Sequence, residues 1–351
     1  MTTLKTFYDL SHVHHDPGQL NTPDQRPDRA FNEVPRRGLI IHQAVREAGL
    51  GPILSPADFG LAPLEAVHIP EFLRLLQTAY QAHAVQTGRA EPLWPDTFAL
   101  GRFPAQMPRS IPGQLGVYCF GLYTPIFEYT WEAAYWSAQT ALSAAAQLTS
   151  GDRLTYALCR PPGHHAAADL FGGFCYLNNV AIAADWLTRA GGRVAIVDVD
   201  YHHGNGSQAI FYRRADVLFC SLHADPNHEY PYYWGYAGET GSGPGEGANH
   251  NYPLPFGTDE SAYFVALDDA LRKVRRFGPD FLLISLGLDT FEGDPVTVPG
   301  GGFKLQTASY ARMGQKFAAL DLPTAVIQEG GYHQEALGAN VVSFLNGLMG
   351  G

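Results

Sequence analysis

Between residues 154 and 331 the chain alternates short, almost wholly apolar runs with longer amphipathic stretches. The apolar runs are LTYALCR (154–160), RVAIVDVD (193–200), VLFCSLH (217–223), FLLISLGLD (281–289) and TAVIQEGG (324–331). Their brevity and aliphatic, β-branched content predict strands. The intervening stretches near 176–190, 259–277 and 307–320 predict helices. Strands without a polar face, separated by helices, imply a parallel sheet covered on both sides. Upstream, helices are predicted at 38–48, 70–86 and 131–148, the last rich in alanine. Residues 12–37 are polar and proline-bearing and read as a loop. Residues 91–130 mix proline with aromatics and predict a long excursion from one α/β domain spanning 1–351. Long segments of this kind tend to be functional or interfacial.

Four of the five predicted strands end in residues that a core does not want. The first runs into Arg160-Pro161-Pro162-Gly163-His164-His165, and the second into Asp198, Asp200, His202 and His203. The fourth ends in Asp289, and the fifth leads to Gly330-Gly331-Tyr332. Open α/β sheets bind ligands in the crevice beyond the carboxyl ends of their strands, so these scattered groups converge there. In an extended chain Asp198, Asp200 and His202 share one face, while His203 points the other way. Asp200 and His202 make half of a divalent-metal site, and Asp289 supplies a third ligand. Three protein ligands with an open position are the pattern of a catalytic site. The competing reading is a charged strand cap before a helix start. His164 and His165 fit acid–base groups or exposed turn residues equally well. Tyr332 fits turn packing, or a phenol that a flexible glycine loop brings to an oxyanion.

Composition narrows the class. The 351 residues are 46% hydrophobic with a formal net charge of −11, from 34 acidic against 23 basic side chains. No Lys/Arg-rich run marks a nucleic-acid surface, and no apolar segment is long enough to cross a membrane. Cys119, Cys159, Cys175 and Cys220 form no CxxC pair and read as buried thiols in a reducing, cytoplasmic setting. An acidic balance also suits a cationic small substrate.

The segments RPPGHHA (160–166), GFCYLNNVAIAA (173–184), DVDYHHGNG (198–206), SLH (221–223), GLDTFEGDP (287–295) and EGGY (329–332) resemble the histone deacetylase superfamily. Within it the chain is most similar to bacterial acetylpolyamine amidohydrolases, through residues 91–130 and 221–247. The resemblance implies a single-domain arginase/deacetylase α/β fold, with a central, mostly parallel sheet flanked by helices. It implies one Zn2+ on Asp200, His202 and Asp289, with His165 as general base and acid and His164 as its electrostatic partner. Asp198 then orients His164, and Asn205 is the partner of His165. A K+ or Na+ site is implied at Asp198, Asp200, His202, Ser221 and Leu222, and a second near Phe211, Arg214 and Val217. Phe174 and Tyr230 become walls of a substrate tunnel, and Tyr332 the oxyanion donor. The implied activity is removal of acetyl groups from small cationic acetylated amines by a homodimeric enzyme.

Some family members carry aspartate where this chain has Asn205. A neutral partner stabilises imidazolium less, which predicts a lower pKa for His165. An acyl-lysine protein deacetylase shares the same motifs, and loops near the mouth decide between them. Carboxylates that would favour a polycation there include Asp16, Glu91 and Asp96. A two-manganese ureohydrolase expects an aspartate where Gly287 stands. A non-catalytic binding protein of this fold is expected to lose the catalytic tyrosine or a histidine.

Overall fold

The computed structural model describes residues 4–21, 30–101, 106–298 and 300–350. The predicted loop residues 22–29 and excursion residues 102–105 lie outside the described residues. Five strands match the predicted runs: β3 (Leu154–Ala157), β4 (Val194–Asp198), β5 (Val217–Ala224), β7 (Phe281–Leu286) and β8 (Thr324–Gln328). Three more complete the sheet: β1 (Lys5–Phe7), β2 (Ile53–Leu54) and β6 (Asn249–Leu254). Their order is β2-β1-β3-β8-β7-β4-β5-β6, and every pair is parallel. β2 and β6 form the two edges, and β1 lies between β2 and β3. Two of these three are very short and the third, NHNYPL, is polar, so none carried an apolar run to read.

Strand alternation divides the core. Val194 and Ile196 of β4 pack into one apolar cluster, and Ala195 and Val197 into another. Leu283 of β7 joins the first, Leu282 and Ile284 the second. Successive side chains of a strand point to opposite faces, so each layer of helices receives one set. The first layer holds α2 (Ala62–Glu65), α3 (Pro70–Thr87), α4 (Ile111–Tyr118), α5 (Thr130–Thr149) and α6 (Asn179–Arg189). The second holds α1 (Pro35–Glu47), α8 (Glu260–Phe277), α9 (Thr307–Ala318) and α10 (Gln334–Leu348). A further short helix, α7 (Asn205–Phe211), follows β4. Helix α1 starts three residues before its prediction because Pro35 suits the first helical turn.

The segment 91–130 is not a free loop. It contains α4, and Leu93 and Ile126 form an antiparallel bridge. Leu93, Ile111, Leu115 and Ile126 are buried in the first apolar layer. Its later part is stitched to residues 171–176: Phe120 N donates to Phe171 O, Phe171 N to Tyr118 O, and the Tyr176 hydroxyl to Pro125 O. The excursion is therefore fixed beside the segment that carries Phe174. No helix among the described residues is long and apolar enough to cross a membrane.

Candidate active site

Strand β4 ends at Asp198, two residues before the predicted end. Beyond it the chain bends, and its carboxylates hold the bends in place. Asp198 Oδ1 accepts from Asp200 N at 3.1 Å, and Asp200 Oδ1 accepts from His202 N at 2.9 Å. These aspartates turn the backbone by capping the amide two residues on, as Asp does in turns. Side-chain direction here follows from those turns and not from continued extension. His203 does separate from its neighbours, as alternation suggested. It is fully buried against Phe219 and His223.

Asp200, His202 and Asp289 each offer a donor atom, all within 4.8 Å of one another, and all three are buried. His202 Nδ1 lies 3.1 Å from Asp289 Oδ2 and 3.5 Å from Asp200 Oδ1. Backbone amides brace the carboxylates: Tyr201 N donates to Asp289 Oδ1 at 2.9 Å, and Gly330 N to Asp200 Oδ2 at 2.8 Å. Two glycines make the space. A Cβ on Gly287 would overlap the Asp200 carboxylate, and one on Gly330 would press on both Asp200 and Asp289. An aspartate at Gly287, as a two-metal ureohydrolase expects, has no room. Two buried carboxylates and an imidazole converging in such a cradle fit one divalent cation.

Both histidines of the first motif lie against this cluster. His164 Nδ1 is 2.9 Å from Asp198 Oδ2, and the two histidine rings are 4.1 Å apart. Burial pulls His164 down, but the Asp198 and Asp200 carboxylates more than offset it and raise it to about 10. His165 goes the other way. Burial depresses it well below the usual range, and the charges on His164 and His202 depress it further. Its Nδ1 is 2.7 Å from Asn205 Oδ1, and an amide oxygen only accepts. The proton of neutral His165 therefore sits on Nδ1, leaving Nε2 as a free base. Burial is the main cause of this lowering, and the Asn205 hydrogen bond partly opposes it.

Tyr332 is held from several sides. Its amide donates to Asp294 Oδ2 at 2.7 Å, its ring lies 4.4 Å from the Arg37 guanidinium carbon, and Phe174 packs edge-on at 5.6 Å. Arg37 Nε also donates to Gly331 O at 2.6 Å, and Nη2 to Glu329 O at 2.8 Å. The expected swinging glycine loop is instead clamped. Burial raises the Tyr332 phenol well above its usual range, so it remains a proton donor. Phe174 adopts a left-handed backbone with φ of 68°, and its amide donates to Thr124 Oγ1 at 2.9 Å. Tyr230 packs edge-on against His165 at 5.0 Å and His202 at 6.0 Å.

The remaining predicted residues occupy neighbouring ground. Ser221 and Leu222 lie on β5, with Ser221 in register with Asp198, and the Ser221 hydroxyl is 2.9 Å from His223 Nδ1. Phe211 ends α7, Val217 begins β5, and Arg214 lies between them. The Arg214 guanidinium engages Asp185 and Asp216, and its amide donates to Phe211 O. Asp16 is occupied in capping Gly18 N, and Glu91 lies 3.5 Å from His83.

Several supporting residues had escaped the sequence reading. Glu329 Oε2 accepts from the amides of Gly163 and His164 at 2.7 and 3.1 Å, tying the histidine turn to the Tyr332 loop. Glu33 bridges Arg37 (2.8 Å) and Arg160 (2.8 and 3.0 Å), and all three side chains are buried. Glu33 lies in a stretch that looked like polar loop, with no periodicity to mark it. Asp294 belongs to the quoted GLDTFEGDP segment, which was the available signal.

Comparison with known proteins agrees with this geometry. Residues 31–348 match the histone deacetylase domain. The chain belongs to the histone deacetylase family. It is 45% identical over 350 residues to acetylpolyamine amidohydrolase 1 of Pseudomonas aeruginosa, covering 99% of each chain. Acetylpolyamine amidohydrolase 2 of the same organism is 47% identical over 319 residues, 91% of each chain. Among solved structures, the acetylpolyamine aminohydrolase of Burkholderia pseudomallei superposes with a TM-score of 0.91 at 43% identity, covering 98% of each chain. Proteins of this family depend on a metal, in keeping with the Asp200/His202/Asp289 cluster.

The Glu33 bridge generates a stability prediction. Glu33→Ala strands two buried guanidinium groups and is expected to cost about 3–5 kcal/mol. Equilibrium urea unfolding measures it, and a loss below about 1 kcal/mol, as for an exposed pair, contradicts the bridge.

Proposed function

We propose that this deacetylase hydrolyses the acetamide of acetylated polyamines and similar small cationic amines. Full-length similarity to acetylpolyamine amidohydrolases, joined to a buried Asp/His/Asp cluster beside a histidine pair and a phenol, carries this reading. Zn2+ is the proposed ion, as the family resemblance implies, and three protein ligands with an open fourth position match Asp200, His202 and Asp289. When bound, it polarises the amide carbonyl and lowers the pKa of water.

The chain's own groups supply the rest. Neutral His165 takes the proton of the attacking water on Nε2, its other nitrogen being committed to Asn205. The water oxygen bonds to the carbonyl carbon, and the Tyr332 hydroxyl donates to the developing oxyanion. His165 then returns the proton to the amine nitrogen as the C–N bond breaks, giving acetate and free amine. His164, kept charged by Asp198, biases this exchange electrostatically without making a bond to substrate. Phe174 and Tyr230 form the walls along which a slim alkyl arm reaches these groups.

Asp198, Asp200, His202, Ser221 and Leu222 are proposed to hold K+ or Na+, and Phe211, Arg214 and Val217 a second such ion. We further propose one domain over residues 1–351, a cytoplasmic location and a homodimer built on the 91–130 segment. That segment presents Leu100 (75% exposed) and Met107 (51%) to solvent, which favours a protein contact there.

Asp200→Ala and Asp289→Ala are each expected to abolish metal binding, read by elemental analysis of purified protein. Stoichiometric metal in both variants contradicts the ligand set. Tyr332→Phe is expected to keep the metal and lose roughly 10²–10³ in kcat, as for one oxyanion donor. Full turnover would remove Tyr332 from the mechanism. Acetylputrescine and acetylspermidine are expected to be far better substrates than an acetyl-lysine peptide in kcat/KM, and the reverse order would identify a protein deacetylase.

A further inference from the structure

Beyond the tunnel walls, a line of aromatic rings runs from the reaction centre to solvent. Tyr230 touches His165 at 5.0 Å. Phe120, half-buried, lies on Tyr230 nearly parallel, with centroids 6.2 Å apart and an interplanar angle of 12°. Trp234 meets Phe120 edge-on at 6.1 Å, and Tyr233 meets Trp234 at 5.8 Å. Exposure rises outward, from 37% for Trp234 to 77% for Tyr233.

The loop that carries these rings is built to hold them still. Tyr232 adopts φ of 64°, strained for a bulky residue, and the Tyr236 hydroxyl donates to its carbonyl at 2.8 Å. Gly235, next to Trp234, is pinned at both ends of its peptide unit. Its amide donates to Glu239 Oε2 at 2.9 Å, and its carbonyl accepts from His223 Nε2 at 2.8 Å. Glu239 Oε2 is itself held by Gln208 Nε2 at 2.6 Å, and Gln208 Oε1 is 3.1 Å from His203 Nε2. The amide oxygen only accepts, so His203 donates there. His203, which the chemistry of the site does not use, thereby links the metal-site turn to the loop bearing Trp234. At the inner end, the buried Tyr230 hydroxyl has no hydrogen-bond partner among the described residues. A polar group left unpartnered beside His165 is a place for a ligand atom.

Two of the carboxylates considered for cation recognition already have partners of their own. Asp16 caps Gly18 and Glu91 lies beside His83. Ring faces provide the alternative, because an alkylammonium is attracted to the face of Trp, Tyr or Phe. We infer that Phe120, Trp234 and Tyr233 form an aromatic rim that receives the cationic tail of the acetylated amine and selects charged tails over neutral ones. Methylene segments lie along the rings, while each ammonium stays partly hydrated above a face. This inference rests on the acetylpolyamine reading and names the residues that make the substrate's charge count.

The test compares acetylspermidine with N-butylacetamide, whose tail carries no charge, in wild type, Trp234→Leu, Trp234→Phe and Tyr233→Leu. Leucine keeps apolar bulk and removes the ring face. The ratio of kcat/KM for the charged over the neutral substrate is expected to fall about 3- to 10-fold in Trp234→Leu, mainly through KM, with most of it restored by phenylalanine. Tyr233→Leu is expected to give a smaller fall in the same direction. Equal losses on both substrates would reduce the rim to a structural role, and an unchanged ratio would overturn it. Wild-type enzyme inactive on acetylspermidine would overturn the proposed function, whereas activity with an unchanged ratio overturns the rim alone.

Discussion

The constraint on which the rest of this protein depends is the crowding of buried carboxylates at the carboxyl ends of its central strands. Asp198, Asp200, Asp289 and Glu329 are all at most 1% exposed. Burying like charges together costs many kcal/mol unless partners compensate. The fold supplies those partners in layers. Backbone amides from Asp200, Tyr201, His202, Gly163, His164 and Gly330 donate to the carboxylates. His164 adds positive charge, and Asp200, His202 and Asp289 are placed so that they can hold a cation. Even so, burial and the nearby Asp200 carboxylate lift Asp289 to about 7, and burial lifts Glu329 to about 7.

A second buried ion cluster, Glu33 with Arg37 and Arg160, carries no chemistry of its own. Its work is positional. Arg160 closes the turn leading to His164 and His165, and also binds the carbonyls of His12 and His15. Arg37 grips the carbonyls of Glu329 and Gly331 and lies over the Tyr332 ring. One carboxylate therefore ties the His164–His165 turn and the Tyr332 loop to the same N-terminal segment. Reacting groups placed to within a fraction of an ångström need this kind of support. Polar networks behind Gly235 do the same for the mouth.

The residues that gather at the site were legible because they stand in local motifs. The aspartates, histidines and glycines that follow a buried strand stand out from its apolar pattern, and four strand ends carry such groups. Asn205 could be paired with His165 only through resemblance, although a hydrogen bond joins them. Strands β1, β2 and β6 were not legible, since two or three residues set no period and β6 is polar. Nor could alternation foresee that the chain would leave β4 at Asp198 and turn on its own carboxylates. The residues still point to one crevice, but backbone capping and not pleat geometry aims them.

What the sequence determined by itself is the parallel α/β layering and the identity of the groups gathered at one end of the sheet. Both follow from short-range rules: apolar runs make strands, and ligands collect beyond their carboxyl ends. Only the tertiary structure decided which distant groups stand behind them. Glu33 meets Arg160 across 127 positions, and Phe120 of the 91–130 segment meets Tyr230 beyond β5. Such partners share no sequence spacing. Their pairing is set by which layers pack against which, and that is a property of the folded chain alone.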